Sequence, residues 1–153
     1  MEQLQLSQLR LEAAKEEIRR CEDLNALYGL TLSERDIQEL VQLRAQALQD
    51  SARVELGEGI LPALIRAFCS SPYVDSHNYA TTLGQLQEAF YYFKNESCDR
   101  FSDEELVDFM VSVFNSPWAA GSAELLTDIS LEQLCRWARE DSRSRYADEE
   151  DFF

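Results

Sequence analysis

The sequence predicts an all-α protein, a single compact bundle of six to seven helices with a long N-terminal helix. Three observations predict it. Apolar residues recur at three- and four-residue spacing along most of the chain. Only five glycines and three prolines punctuate 153 residues. Serines that can cap a helix stand where the periodic runs begin, some followed three residues later by an acid or a glutamine.

The first element spans roughly Gln3 to Tyr28. Leu4, Leu11, Ile18 and Asn25 stand seven apart, and Ser7, Ala14, Cys21 and Tyr28 follow each by three. That is a heptad seam with a weak second stripe, and an asparagine in such a seam favours one defined pairing. Its poor second stripe points to packing within the chain or to a weak dimer. Gly29 stands in the usual C-cap place. Ser33 with Asp36 opens the next helix, whose buried face is read as Ile37, Leu40, Val41, Leu43, Ala47 and Leu48, ending near Arg53. Val54 to Gly59 reads as a loop. Ile60 to Cys69 is apolar on nearly every side, with Pro62 in its first turn, and is expected in the core.

Ser70-Ser71-Pro72 breaks the chain before a long helix from Asn78 to Glu96, with Leu83, Leu86, Ala89, Phe90 and Phe93 inside. Ser102 with Glu105 caps a helix through Phe114, and Asn115-Ser116-Pro117 stops it. A short helix from Ser122 to Asp128 follows. Ser130 with Gln133 starts the last one, Leu131 to about Asp141. The chain thus divides into an N-terminal amphipathic helix (1–29), a helical domain (30–141) and an acidic, mobile tail (142–153).

Composition excludes whole classes of chemistry. His77 is the single histidine, so neither a paired Glu-x-x-His di-iron site nor an H-E-x-x-H zinc site can form within the chain. The formal net charge of −15 opposes binding to nucleic acid or an anionic membrane. Residues 101–153 hold thirteen acids against four bases, so most of the excess lies there. No stretch approaches the ~20 apolar residues of a membrane span. Met1 to Leu11 carries Glu2 where a signal peptide needs a basic segment and then an apolar run. A cytoplasmic protein is expected. Cys21, Cys69, Cys98 and Cys135 are 48, 29 and 37 residues apart with no Cys-x-x-Cys, and read as small buried hydrophobes. No cofactor and no metal is expected.

The run Phe68-Cys69-Ser70-Ser71-Pro72-Tyr73-Val74-Asp75, then Asn78-Tyr79-Ala80, then Phe90-Tyr91-Tyr92-Phe93-Lys94-Asn95-Glu96, resembles the bacterial DUF6323 family. Arg53-Val54-Glu55, Ile60-Leu61-Pro62 and Ser102-Asp103-Glu104-Glu105-Leu106 fit the same pattern. The resemblance covers roughly residues 30–140. It implies a bacterial cytoplasmic protein and lends no catalytic residue.

Four constellations compete for a functional role. Cys69, Asp75 and His77 lie around one turn; imidazole could activate the thiol, or the trio could hold a metal. The plainer reading makes Asp75 a helix cap and Cys69 a core residue. Tyr73, Tyr79, Tyr91 and Tyr92 with Lys94 could wall a groove, against plain core packing. Residues 123–145, with Arg136, Arg139, Arg143 and Arg145, imitate a helix-turn-helix, although Glu132, Glu140 and Asp141 interrupt the stripe. Gly57-Glu58-Gly59 is no phosphate loop, because no Lys-Ser/Thr follows it. Lastly, Asp148, Glu149, Glu150 and Asp151 precede Phe152 and Phe153, a layout suited to docking on a basic-rimmed apolar pocket. The leading reading is a non-enzymatic, acidic interaction or adaptor protein, a monomer or weak homodimer, whose partner carries basic surface. The alternatives are a small enzyme or metal site around Cys69 and His77, and a helix-turn-helix DNA binder.

Overall fold

The computed structural model describes the backbone of residues 2–54 and 59–150 and the side chains of residues 8–54 and 59–140. Its helices are α1 (Glu2–Arg19), α2 (Glu22–Leu27), α3 (Glu34–Asp50), α4 (Ile60–Phe68), α5 (Tyr79–Glu96), α6 (Asp103–Phe114), α7 (Ala123–Thr127) and α8 (Leu131–Glu150). There is no strand among the described residues, and the all-α bundle is the observed class.

Local chemistry sets the helix starts. Ser33 Oγ accepts from Asp36 N, and the Asp36 carboxylate accepts from Ser33 N, closing a capping box. Ser102 and Glu105 do the same for α6, and Ser130 and Gln133 for α8. Each box satisfies two backbone donors that the first turn leaves without partners, worth about 1 kcal/mol per cap. Ser122 Oγ accepts from Leu125 N at the start of α7.

The long N-terminal helix is broken once, after Arg19, which accounts for an eighth element. Cys21 N bonds to Ile18 O, a tightened turn, and the Cys21 thiol donates to Glu17 O. A side chain thus takes the carbonyl that an unbroken helix would give to Cys21 N. Ala14, Ile18, Cys21 and Asn25 are buried, whereas Tyr28, in the second stripe, is exposed. The seam packs on this chain's own body, α1 lying against α3 and α4. The Arg19 guanidinium forks onto Glu34 at 3.1 and 2.8 Å, tying α1 to α3. That hydrogen bond raises the Arg19 pKa and holds the Glu34 carboxyl below its ordinary range. Both groups face solvent, so the pair contributes little to stability.

α5 is the central helix and touches α3, α4, α6 and α7. Leu83, Leu86, Ala89, Phe90 and Phe93 are buried, as its 3.6-residue pattern requires. Aromatic rings join the layers edge to face: Phe68 on Phe114 at 5.2 Å, Phe93 on Phe109 at 5.5 Å, and Phe109 on Trp137 at 5.4 Å. Such contacts add about 0.5–1.5 kcal/mol each beyond area burial. Two buried amides stitch helices together: Asn25 accepts from Tyr79, and Gln87 Nε2 donates to Leu40 O at 3.2 Å.

Two details depart from the sequence reading. Leu43, assigned to the buried face of α3, is 37 % exposed: one of its methyl groups lies against Gly84 of α5, and the rest of the side chain lines the open cleft between the two helices. α8 runs on to Glu150, nine residues past the expected end at Asp141. Residues 141–150 lack an apolar stripe yet contain neither glycine nor proline, so nothing local stops the helix. Missing periodicity in the sequence there does not mark the loss of helix. Residues 55–58, with Gly57 and Glu58 of the expected loop, lie outside the described residues.

Candidate functional site

The outward stripe of α5 follows from its register. With the inner face taken by Leu83, Leu86, Phe90 and Phe93, positions 81, 85, 88 and 92 come round to solvent, four and three apart. Thr81, Gln85, Glu88 and Tyr92 are all exposed there. Of the two adjacent tyrosines, Tyr91 goes inside at 4 % exposure and Tyr92 goes out at 48 %. A ring that large on a polar stripe is the one conspicuous apolar feature of this face. Its inner edge rests on Phe93, ring to ring at 5.5 Å.

Two open clefts flank Tyr92. One, about 510 Å³, lies between α5 and α7, with Gln85, Glu88, Ala89 and Tyr92 on one wall and Ala123, Glu124 and Thr127 on the other. The second, about 370 Å³, lies between α5 and the end of α3, where Leu43, Ala47 and Asp50 face Glu88, Tyr91 and Tyr92. Glu88 and Tyr92 belong to both, so they form the ridge between them. The charged groups that line the pair are Glu88, Glu124 and Asp50, with no lysine or arginine among the described residues. Arginines line a different cleft, where Arg20 and Arg66 stand between the N-terminal helices and α4. Carboxylates beside an exposed phenol ring attract a cation by charge and by the ring's face.

The five residues expected to wall a groove do not come together. Tyr91 and Tyr92 share the cleft beside α3. Tyr79 is buried at the start of α5, and its hydroxyl is used on Asn25. It is among the largest fully buried side chains, and its polar tip finds a partner there, where the sequence pattern had shown only an aromatic. Lys94 lies near the other end of α5, about 22 Å along the axis from Tyr79. Its ammonium donates to Phe101 O at 3.1 Å and to Asp103 at 2.6 Å, fastening the end of α5 to the start of α6. Tyr73 stands on the preceding loop, edge-on to Phe114. The groove residues that the sequence did not single out, Glu88 and Glu124, carry a weak signal: they are polar positions at helical spacing from an aromatic.

Cys69, Asp75 and His77 are also drawn apart by their tasks. Cys69 is buried with its thiol towards Arg66 O, and burial pushes its pKa up, which disfavours the thiolate. His77 is exposed. No hydrogen bond joins the two among the described residues. Asp75 Oδ1 accepts from His77 N at 2.8 Å and from Asn78 N at 3.0 Å, and Asn78 Oδ1 accepts from Asp75 N. That reciprocal turn delivers the chain into α5, with the Asp75 carboxylate serving backbone donors. No group of three His, Cys, Asp or Glu side chains suited to a metal occurs among the described residues.

The segment 123–145 has the outline of a helix-turn-helix, a short helix followed by a long one. α7 is five residues long. The first turn of α8, which would enter a groove, carries Glu132, and Arg136 is paired with it at 3.4 Å. Helical register sets Arg139 and Arg143 within about 60° of Arg136 and Arg145 half a turn round from it, so three of the four arginines share a stripe and the fourth does not. Of the acidic-aromatic segment, Asp148, Glu149 and Glu150 fall on the helical backbone of α8, while Asp151, Phe152 and Phe153 lie outside the described residues.

A family model described as a family of unknown function, DUF6323, matches residues 17–144. The chain belongs to this family. The match begins inside α1, so it takes in the second part of the N-terminal helix, which the resemblance over 30–140 left out. Ile18, Cys21 and Asn25, buried against the bundle, give that extension its physical reason. No curated protein and no solved structure matches the chain. No described helix is long and apolar enough to cross a membrane. This member of the DUF6323 family thus has paired clefts lined by carboxylates on the outer side of its central helix.

Proposed function

We propose that the chain is a non-enzymatic interaction protein that binds a protein partner through basic surface on that partner. One observation carries the reading: the charged groups lining both clefts beside Tyr92 are carboxylates. The overall charge of −15 extends that field and speeds encounter with a cationic partner. Asp148, Glu149, Glu150 and Asp151, with Phe152 and Phe153, supply a second point of attachment in this reading. All four cysteines are free thiols, which suits a reducing compartment and favours the cytoplasm.

The test is affinity capture from the source cell with the intact chain and with a version ending at Ala147, each eluted by rising salt. The expected result is a protein partner that elutes at moderate salt and is held less tightly by the shortened chain. A captured set that ignores salt, or that carries no basic surface, overturns the reading.

A further inference from the structure

The two clefts have a geometry that narrows the kind of partner. They lie on either side of one helix, so their centres are separated by about one helix-packing distance, roughly 8–10 Å. Between them stand Tyr92, half exposed, and Glu88; at the edge stands Leu43, also partly exposed. The ridge therefore carries one exposed aromatic ring beside a carboxylate, and both troughs are lined by carboxylates. Glu88 and Glu124 make no ion pair among the described residues, so their charge is available to a ligand. An all-α surface offers no strand edge, and a partner cannot add a strand to it. A helix laid on the ridge can use it.

On a helix, residues seven apart share a face and are about 10.5 Å apart, close to the separation of the troughs. Resting on the proposed binding role above, we infer that the outer face of α5 docks an amphipathic helix of a partner protein. That helix lays its apolar stripe on Tyr92 and Leu43 and puts one lysine or arginine into each cleft. Each cation meets carboxylates on both walls of the α5–α7 cleft (Glu88 and Glu124) and of the α3–α5 cleft (Glu88 and Asp50). Tyr92 serves as the anchor, because a rigid aromatic in the middle of a contact carries a disproportionate share of its energy.

The probe is an 18-residue helical peptide with a leucine stripe and two lysines seven apart, compared with its twin bearing glutamates at those two positions. The full-length chain, labelled with ¹⁵N, is titrated with each peptide and separately with spermine. The lysine peptide is expected to shift the amides of residues 85–95 and 123–127, and to bind at least about tenfold more tightly than the glutamate peptide at low salt. Tyr92→Ala and the Glu88→Lys/Glu124→Lys pair should each weaken it by about tenfold while circular dichroism and melting stay unchanged. Glu88→Gln, a milder change, should give a smaller loss.

If the lysine peptide binds but shifts only residues 141–153, or ignores Tyr92→Ala, this site is overturned and the wider binding role survives. If neither peptide binds, or both bind alike, both fall. If spermine gives the cleft shifts and the peptide does not, the site belongs to a small cation, and the helix-docking inference is overturned.

Discussion

The Tyr79 hydroxyl donates to Asn25 Oδ1 across 2.6 Å, joining the N-terminal helices to α5 over 54 positions of sequence. Both side chains are buried. A buried amide in an apolar seam is costly unless paired, so the bond selects the one docking of α2 that satisfies it. The asparagine that interrupts the heptad seam therefore fixes register within the chain.

Breaking this pair from one side should cost more than removing it whole. Tyr79→Phe leaves Asn25 Oδ1 without its donor, and Asn25→Leu leaves the Tyr79 hydroxyl without its acceptor; each should cost about 1–3 kcal/mol. The double variant has no orphan and should lose less than the sum of the two. Urea unfolding of all four proteins gives the cycle. A coupling energy indistinguishable from zero would mean that the hydrogen bond contributes nothing to holding α2 in place.

The same tyrosine makes stability depend on alkaline pH. Burial is the main reason that its pKa is raised, with the Cys69 and Cys21 thiols adding to it, and burial raises Cys69 as well. In the unfolded chain a thiol ionises near pH ~8.5 and a phenol near ~10. Above those values the unfolded state releases protons that the folded state keeps, so stability falls as pH rises, by at most about 1.4 kcal/mol per pH unit for each group. Below them these two groups leave stability unchanged. Urea midpoints from pH 7 to 11 should therefore bend downward near 8.5 and steepen near 10. In Tyr79→Phe the second bend should disappear; a second bend that persists would assign it to another tyrosine.

Much of the fold was legible, and the reason is visible in particular residues. Ser33, Ser102 and Ser130 announce helix starts through chemistry that lies within four residues, and the inner stripe of α5 follows from period alone. What period cannot say is which neighbour covers a face. Leu43 continues the stripe of α3 and touches Gly84 of α5, yet it stays partly exposed because an open cleft separates the two helices there. Tyr79 and Tyr92 were both read as aromatics that could wall one groove; one finds a buried amide 54 residues away, and the other faces solvent. The candidate site suffered most, since Glu88 and Glu124 come from helices 36 residues apart and meet only through packing. Residues 141–150 illustrate a different limit: a helix whose sequence carries no apolar stripe gives no periodic signal.

Gln87 makes the opposite case to Asn25. It is fully buried, its Nε2 donates to Leu40 O, and its Oε1 has no hydrogen-bond partner among the described residues. Leu40 O sits within α3, so the bond from Gln87 is additional to the helix's own. Gln87→Met keeps the volume and removes the unpaired acceptor. It should be neutral or stabilise by up to about 1 kcal/mol. A loss above about 2 kcal/mol in thermal melting would show that the α5-to-α3 bond outweighs the orphan it leaves.

Two glycines with positive φ separate backbone strain from steric conflict. Gly29, at φ +71°, would place an added Cβ in open space, whereas Gly121, at φ +83°, would place one 2.3 Å from Tyr73 Cβ. Gly29→Ala should cost only the left-handed backbone penalty, roughly 1–2 kcal/mol. Gly121→Ala incurs that penalty and must also push Tyr73 off its seat against Phe114, where the ring centroids are 6.5 Å apart. The atom in the way is the first carbon of the side chain, next to the backbone, so a change of rotamer cannot relieve it. Gly121→Ala should therefore lower the melting temperature clearly more than Gly29→Ala. Adding Tyr73→Ala would leave the Cβ conflict in place, so it should not rescue the variant, whereas Tyr73→Gly, which removes that carbon, should recover the steric part of the loss. Equal melting temperatures for the two glycine variants would show that the loop around Gly121 moves away from Tyr73 at no cost.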